Sequence, residues 1–233
     1  AIFLRNRRQF EEAEPLLREA IAIDQATLGA EHPSAVTNLN TLAGVQRLKG
    51  DLEGARGTFE QVLALRRATL GPEHPNVSIT LDSYARVLKA MGDYALAEQR
   101  QREAIASARA VLGDVHMSIA ITTGNLASIV RASGDYERAL PAYREALAVY
   151  EQVFGAEHPN VAVLRSNLAG CLIDLRRYEE AEPLLLESYA VLEPSRGLED
   201  RMTQSTVRFL VRLYEEAERS AEAERYKALQ RPA

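Results

Sequence analysis

Four histidines, His32, His74, His116 and His158, are the residues best suited to chemistry in this 233-residue chain. Three of them directly follow a glutamate and all four stand three residues after a glycine, as in "GAEHP" and "GPEHP", which invites a metal site or a catalytic histidine–glutamate pair. Their spacing decides against a shared ion. Each lies 42 residues from the next, so they occupy one column of a repeat. Zinc ligands sit about 2 Å from one ion and must converge. Equivalent residues on stacked helices stand roughly 8–10 Å apart or more. The histidines therefore form a ladder, and no metal or other cofactor is expected.

The repeat that spaces them runs through the chain. Gly29, Gly71, Gly113, Gly155 and Gly197 head "GAEHP", "GPEHP", "GDVHM", "GAEHP" and "GLEDR". A second block recurs in phase as "NTLAGVQRLKGDLEGA" from Asn40, "DSYARVLKAMGDYALA" from Asp82, "GNLASIVRASGDYERA" from Gly124 and "SNLAGCLIDLRRYEEA" from Ser166. Apolar residues at helical spacing give two helices per unit, a first (A) carrying Leu39, Leu42 and Val45 and a second (B) carrying Leu52, Ala55, Phe59, Val62 and Leu63. Gly-Asp at 50–51, 92–93 and 134–135 would end helix A at glycine and cap helix B with aspartate. In the histidine loop, glycine would take a left-handed position after helix B, proline would start helix A, and histidine and glutamate would serve the free amides and dipole of its N-terminus. Copy three, with Val115 and Met117, has lost two elements of that loop, so a looser junction is expected there. Neither helix can bury its stripe alone, so neighbouring units must stack.

These residues resemble the tetratricopeptide repeat, in the 42-residue variety of the kinesin light chain. The small and aromatic positions match at Leu42, Ala43, Ala55 and Phe59 and again at Ala85, Ala97, Ala127, Ala139, Ala169 and Ala181. The G-x-E-H-P loop, Asn-Leu-Ala at 125–127 and 167–169, and Glu-Ala-Glu-Pro-Leu at 12–16 and 180–184 match the subtype. The resulting expectation is an all-α, right-handed α-solenoid of stacked helix-turn-helix repeats filling residues 1–233 as one domain. It would comprise a remnant at 1–28, repeats at 29–70, 71–112, 113–154 and 155–196, and a degenerate repeat with a polar capping helix at 197–233.

Composition excludes several function classes. All but three of the 28 basic residues are arginine, spread along a chain of net charge −5, which supports neither a nucleic-acid nor a membrane-surface role. No apolar run reaches the roughly 18 residues of a membrane span. The single cysteine, Cys171, aligns with Val45, Val87 and Ile129 and reads as a small buried hydrophobe. It fits a reducing compartment, hence a cytoplasmic location. Glycine-rich phosphate loops, HExxH, CxxC and Gly-x-Ser-x-Gly patterns are missing, so no enzyme is expected.

Function is instead sought on the polar face of helix A, where residues 40, 44 and 47 align at i, i+4 and i+7. Down the copies this face reads Asn40/Gly44/Arg47, Asp82/Arg86/Lys89, Gly124/Ser128/Arg131 and Ser166/Gly170/Ile173. The column Arg5, Arg47, Lys89, Arg131 is basic before it turns to Ile173 and Glu215, and it would favour an acidic peptide or a carboxylate. The glycines at 44, 124 and 170 would leave room for ligand side chains. The resemblance implies that helix A lines a concave, peptide-binding surface, and that Asn125 and Asn167 match asparagines able to hold peptide backbone. The candidate groove is thus Asn40, Arg47, Arg86, Lys89, Asn125, Arg131 and Asn167, binding a protein or peptide partner, with an acidic one favoured. Two alternatives stand beside it. The chain would be the sensor or docking part of a larger bacterial kinase or caspase-like protease, as its arginine-rich composition and start at Ala1 suggest, or a structural solenoid self-associating through Phe3 and Leu4 at its N-terminal end.

Overall fold

The computed structural model describes residues 10–231, so the expectations for Phe3, Leu4 and Arg5 lie outside the described residues. Eleven helices follow one another: α1 (Phe10–Leu28), α2 (Pro33–Lys49), α3 (Leu52–Leu70), α4 (Pro75–Met91), α5 (Tyr94–Leu112), α6 (Met117–Ala132), α7 (Tyr136–Phe154), α8 (Pro159–Asp174), α9 (Tyr178–Arg196), α10 (Arg201–Glu216) and α11 (Ser220–Lys227). The chain divides into two compact units, one ending at Gly113 and one beginning at Asp114. In the first, α1 packs on the hairpin α2/α3, which packs on the hairpin α4/α5, with α2 beside α4. In the second, the hairpins α6/α7, α8/α9 and α10/α11 stack, with α6 beside α8 and α8 beside α10. This is the expected all-α arrangement of stacked helix-turn-helix units. No described helix is long and apolar enough to cross a membrane.

Close packing depends on two alanine columns. Ala43, Ala85, Ala127 and Ala169 on the A helices, and Ala55, Ala97, Ala139 and Ala181 on the B helices, are fully buried. A side chain of one carbon lets neighbouring helices approach, and the large residues Phe59, Tyr84, Tyr143 and Leu185 fill the space between them. Cys171 is fully buried, its Sγ 3.4 Å from the Tyr136 carbonyl oxygen, and burial pushes its thiol up to about 11, which keeps it protonated and inert.

The histidine loop is a helix cap built from side chain and backbone together. In every copy the Nδ1 of the N-cap histidine accepts from the amide two residues on: Ser34 to His32 at 3.2 Å, Asn76 to His74 at 3.1 Å, Ser118 to His116 at 3.0 Å and Asn160 to His158 at 3.1 Å. An accepting Nδ1 carries no proton, so the ring is spent on one of the otherwise free amides of the helix start. In the last copy Asp200 replaces histidine and caps Met202 and Thr203.

The glycine before each cap differs from expectation in one respect. Gly71 and Gly155 combine φ of 84° with ψ of 160° and 152°, a region outside the left-handed helical well and open essentially to glycine alone. The left-handed helical position belongs instead to Gly50 and Gly92, after helix A. Asp51, Asp93 and Asp135 then cap the B helices through Gly54, Leu96 and Arg138. Copy four has Arg176 and Arg177 at the Gly-Asp positions. Arg176 is held at φ 58°, and Arg177 makes no capping bond.

Candidate functional site

The polar face of helix A exists in both units, and the two differ in what fills it. In the first unit Asn40, Thr41, Gly44, Arg47 and Leu48 of α2 and Ser83 and Arg86 of α4 wall a cleft of about 350 Å³, floored by Phe59 of α3. The spacing on α2 follows the helical repeat, so these side chains emerge on one face. A Cβ placed on Gly44 would meet nothing within 4 Å, so the missing side chain leaves open space. Arg47 is half-buried, and burial first, then the charge of Arg86, holds its guanidinium below the usual arginine range. Neither arginine forms an ion pair or hydrogen bond among the described residues. Two like charges thus share a cleft without an acid to offset them, and a bound carboxylate would relieve both the repulsion and the lost hydration.

In the second unit the same face is occupied by the protein itself. Arg131 donates from Nε to Asp174 at 2.6 Å, and Arg212 of α10 donates to the other oxygen of that carboxylate, also at 2.6 Å. The Arg131 guanidinium lies 5.2 Å from the centre of the Phe209 ring. That ring fills the space before Gly170, where a Cβ would fall 2.7 Å from Phe209 Cζ. Gly124 is likewise packed, with Leu164 Cδ1 3.3 Å from the position of its missing Cβ. Of the three glycines expected to leave room for a ligand, Gly44 alone does so; Gly170 admits Phe209 and Gly124 admits Leu164. Ile173, where the basic column ends, is fully buried.

The sequence-derived residues are therefore placed as follows. Asn40, Arg47 and Arg86 meet at the first-unit cleft. Lys89, three residues beyond Arg86 on α4, does not wall that cleft and has interactions of its own. Asn125 and Asn167 are half-buried at equivalent points of α6 and α8, Asn125 again with interactions of its own. Thr41 and Ser83 hold their column in the first unit and Phe209 holds it on α10. Arg131 is neutralised by Asp174.

Sequence reasoning missed Asp174 and Phe209, although Asp174 lies 43 residues from Arg131, the separation of neighbouring A helices plus one residue. It also missed Arg66 of α3, which is only 7% exposed. Its Nη1 donates to the Asn76 carbonyl at 2.9 Å and to Thr80 Oγ1 at 2.6 Å, with Asn40 Oδ1 at 3.5 Å. Among the described residues no three histidine, cysteine, aspartate or glutamate side chains gather as a metal site.

Comparison with known proteins agrees with this architecture. The family model of the tetratricopeptide repeat matches residues 1–68, 35–110 and 118–193. A crystal structure of kinesin light chain nearly identical TPR-like repeats from Podosopora anserina superposes with a TM-score of 0.71 at 26% identity, covering 82% of this chain and 91% of that one. BtubC (BKLC) from P. vanneervenii gives a TM-score of 0.76 at 20% identity over 95% of this chain and 89% of that one. A Rap protein complexed with competence and sporulation factor shares the fold at 14% identity and a TM-score of 0.65, over 92% of this chain and 62% of that one. A search of curated proteins finds no match. The chain belongs to the tetratricopeptide repeat family, in its 42-residue kinesin light chain-like form.

Proposed function

We propose that the chain is a non-catalytic interaction module that binds an extended peptide segment of a partner protein on the A-helix face of its first unit, with acidic residues of that segment meeting Arg47 and Arg86. The observation that carries this reading is the pair of arginines in an open cleft with no acid to balance them. The Rap neighbour crystallised with a bound factor, and tetratricopeptide repeats are a protein–protein interaction fold, which supports a binding role. The buried, protonated Cys171 is compatible with a reducing, cytoplasmic setting.

A random peptide display library selected on the wild-type chain tests it. Enriched sequences should carry acidic residues, and Arg47→Glu/Arg86→Glu should abolish their binding while Arg131→Glu leaves it largely unchanged. Selection of neutral sequences insensitive to the double reversal would contradict the assignment.

A further inference from the structure

Arg66 is a buried cation held by neutral acceptors. Only Nη1 has partners, and Nε and Nη2 make no hydrogen bond among the described residues. The other copies carry Asp24, Ala108, Tyr150 and Leu192 in this column, so the charge is particular to the first unit. Arg66 borders a second cleft of about 320 Å³, walled on α2 by Pro33, Val36 and Thr37 and on α4 by Asn76. Residues 33, 37, 40, 44 and 47 follow one another at helical spacing, so this cleft and the Arg47–Arg86 cleft open on the same face of α2. Asn40 stands between them, beside Arg66 and on the wall of the first cleft. The one carboxylate on the second cleft's wall, Glu31, is exposed and does not pair with Arg66.

We infer that Arg66 is a second, deeper carboxylate site for the same peptide, an inference that rests on the function proposed above. Desolvating a cation is costly, and three neutral oxygens offset it less well than an anion, so an incoming carboxylate gains most where the charge is already buried. The separation of the two sites sets the motif. Arg66 grips α4 at Asn76 and Thr80, ten and six residues before Arg86, which is roughly 9–15 Å along a helix rising about 1.5 Å per residue. An extended peptide advances about 3.3 Å per residue. The ligand is therefore an extended segment whose two acidic side chains lie three or four residues apart, the apolar wall at Pro33 and Val36 accepting a neighbouring aliphatic residue.

Synthetic ten-residue peptides with two glutamates one, four or eight positions apart, and one with a single glutamate, would be titrated against the full chain by NMR at low salt up to millimolar concentration. The four-position peptide is expected to bind about tenfold tighter than the single-glutamate peptide. Arg66→Gln, which keeps hydrogen-bonding capacity without charge, should erase that advantage, so that on this variant the four-position peptide binds no more tightly than the single-glutamate peptide. Equal affinity at all spacings, or an advantage that survives Arg66→Gln, overturns the Arg66 site while the Arg47–Arg86 reading stands. Failure of every peptide to bind overturns both. Should Arg66→Gln melt early, the spacing series on the wild-type chain decides alone.

Discussion

The tripeptide Leu-Ala-Gly occurs twice at equivalent places, at 42–44 in α2 and 168–170 in α8, and the structure predicts that the same substitution will act with opposite sign at the two glycines. Gly44 is helical and its Cβ would enter open space, so Gly44→Ala gains helix propensity and loses unfolded-state freedom, together about 1 kcal/mol of stabilisation. The same gain at Gly170 is opposed by contacts. The new methyl would lie 2.7 and 2.8 Å from Phe209 Cζ and Cε1 and 3.0 Å from Arg131 Nη1. The ring must swing away, giving up its place over Arg131 and its packing, a loss of about 2 kcal/mol that leaves Gly170→Ala net destabilising by about 1 kcal/mol. Urea denaturation followed by circular dichroism reads both changes. A double-mutant cycle isolates the cause, because in a Phe209→Ala background Gly170→Ala should lose its penalty and become neutral or stabilising. The reasoning is refuted if both glycines respond with the same sign, or if the Gly170 penalty persists without the Phe209 ring.

Three further outcomes follow from local structure. His74→Ala removes the acceptor for the Asn76 amide and should cost about 1 kcal/mol, whereas His74→Asn, itself a good cap, should cost a few tenths; equal losses in thermal melts would remove the capping role. Arg176→Gly with Arg177→Asp restores the turn of the other copies. Relief of the φ 58° arginine and a new cap, about 1 kcal/mol each, exceed the loss of the exposed Arg177–Glu180 pair, so the melting temperature should rise by a few degrees. Cys171, raised from 9.0 to about 11 by burial, contributes stability that is fully present below pH 9 and is lost as pH rises towards 11, because only the unfolded thiol ionises freely there. Iodoacetamide at pH 8.5 should therefore leave the folded chain unlabelled by mass spectrometry and label it after urea unfolding.

The fold was legible because its signals are local and repeated. Glycine, histidine and proline at fixed offsets declare a helix boundary whatever packs above it, and the alanine columns declare where helices touch. The site was legible only in part, because occupancy depends on neighbours. Arg47 and Arg131 sit in one column and look alike in sequence. The neighbouring helices distinguish them, since α8 brings Asp174 to Arg131 and α10 adds Phe209 over it and Arg212 to the same carboxylate, while α4 brings Arg86 and Ser83 to the Arg47 cleft. Arg66 escaped notice for a similar reason. It lies on helix B, in a column that is apolar in three other copies, and its charge points to function only once its burial and its neutral partners are known.

If the first-unit face takes an acidic ligand while the second-unit face is already filled, the two will respond differently to one peptide. A ¹H–¹⁵N spectrum of the labelled chain, recorded through a titration with the peptide carrying glutamates four positions apart, tests it directly. Shifts are expected at the Gly44 amide and at the Arg47, Arg66 and Arg86 side-chain Nε–H groups, weakening with added salt, while Gly170 and Arg131 stay in place. Shifts centred on Gly170 and Arg131, or none at Arg47 and Arg86, would contradict it.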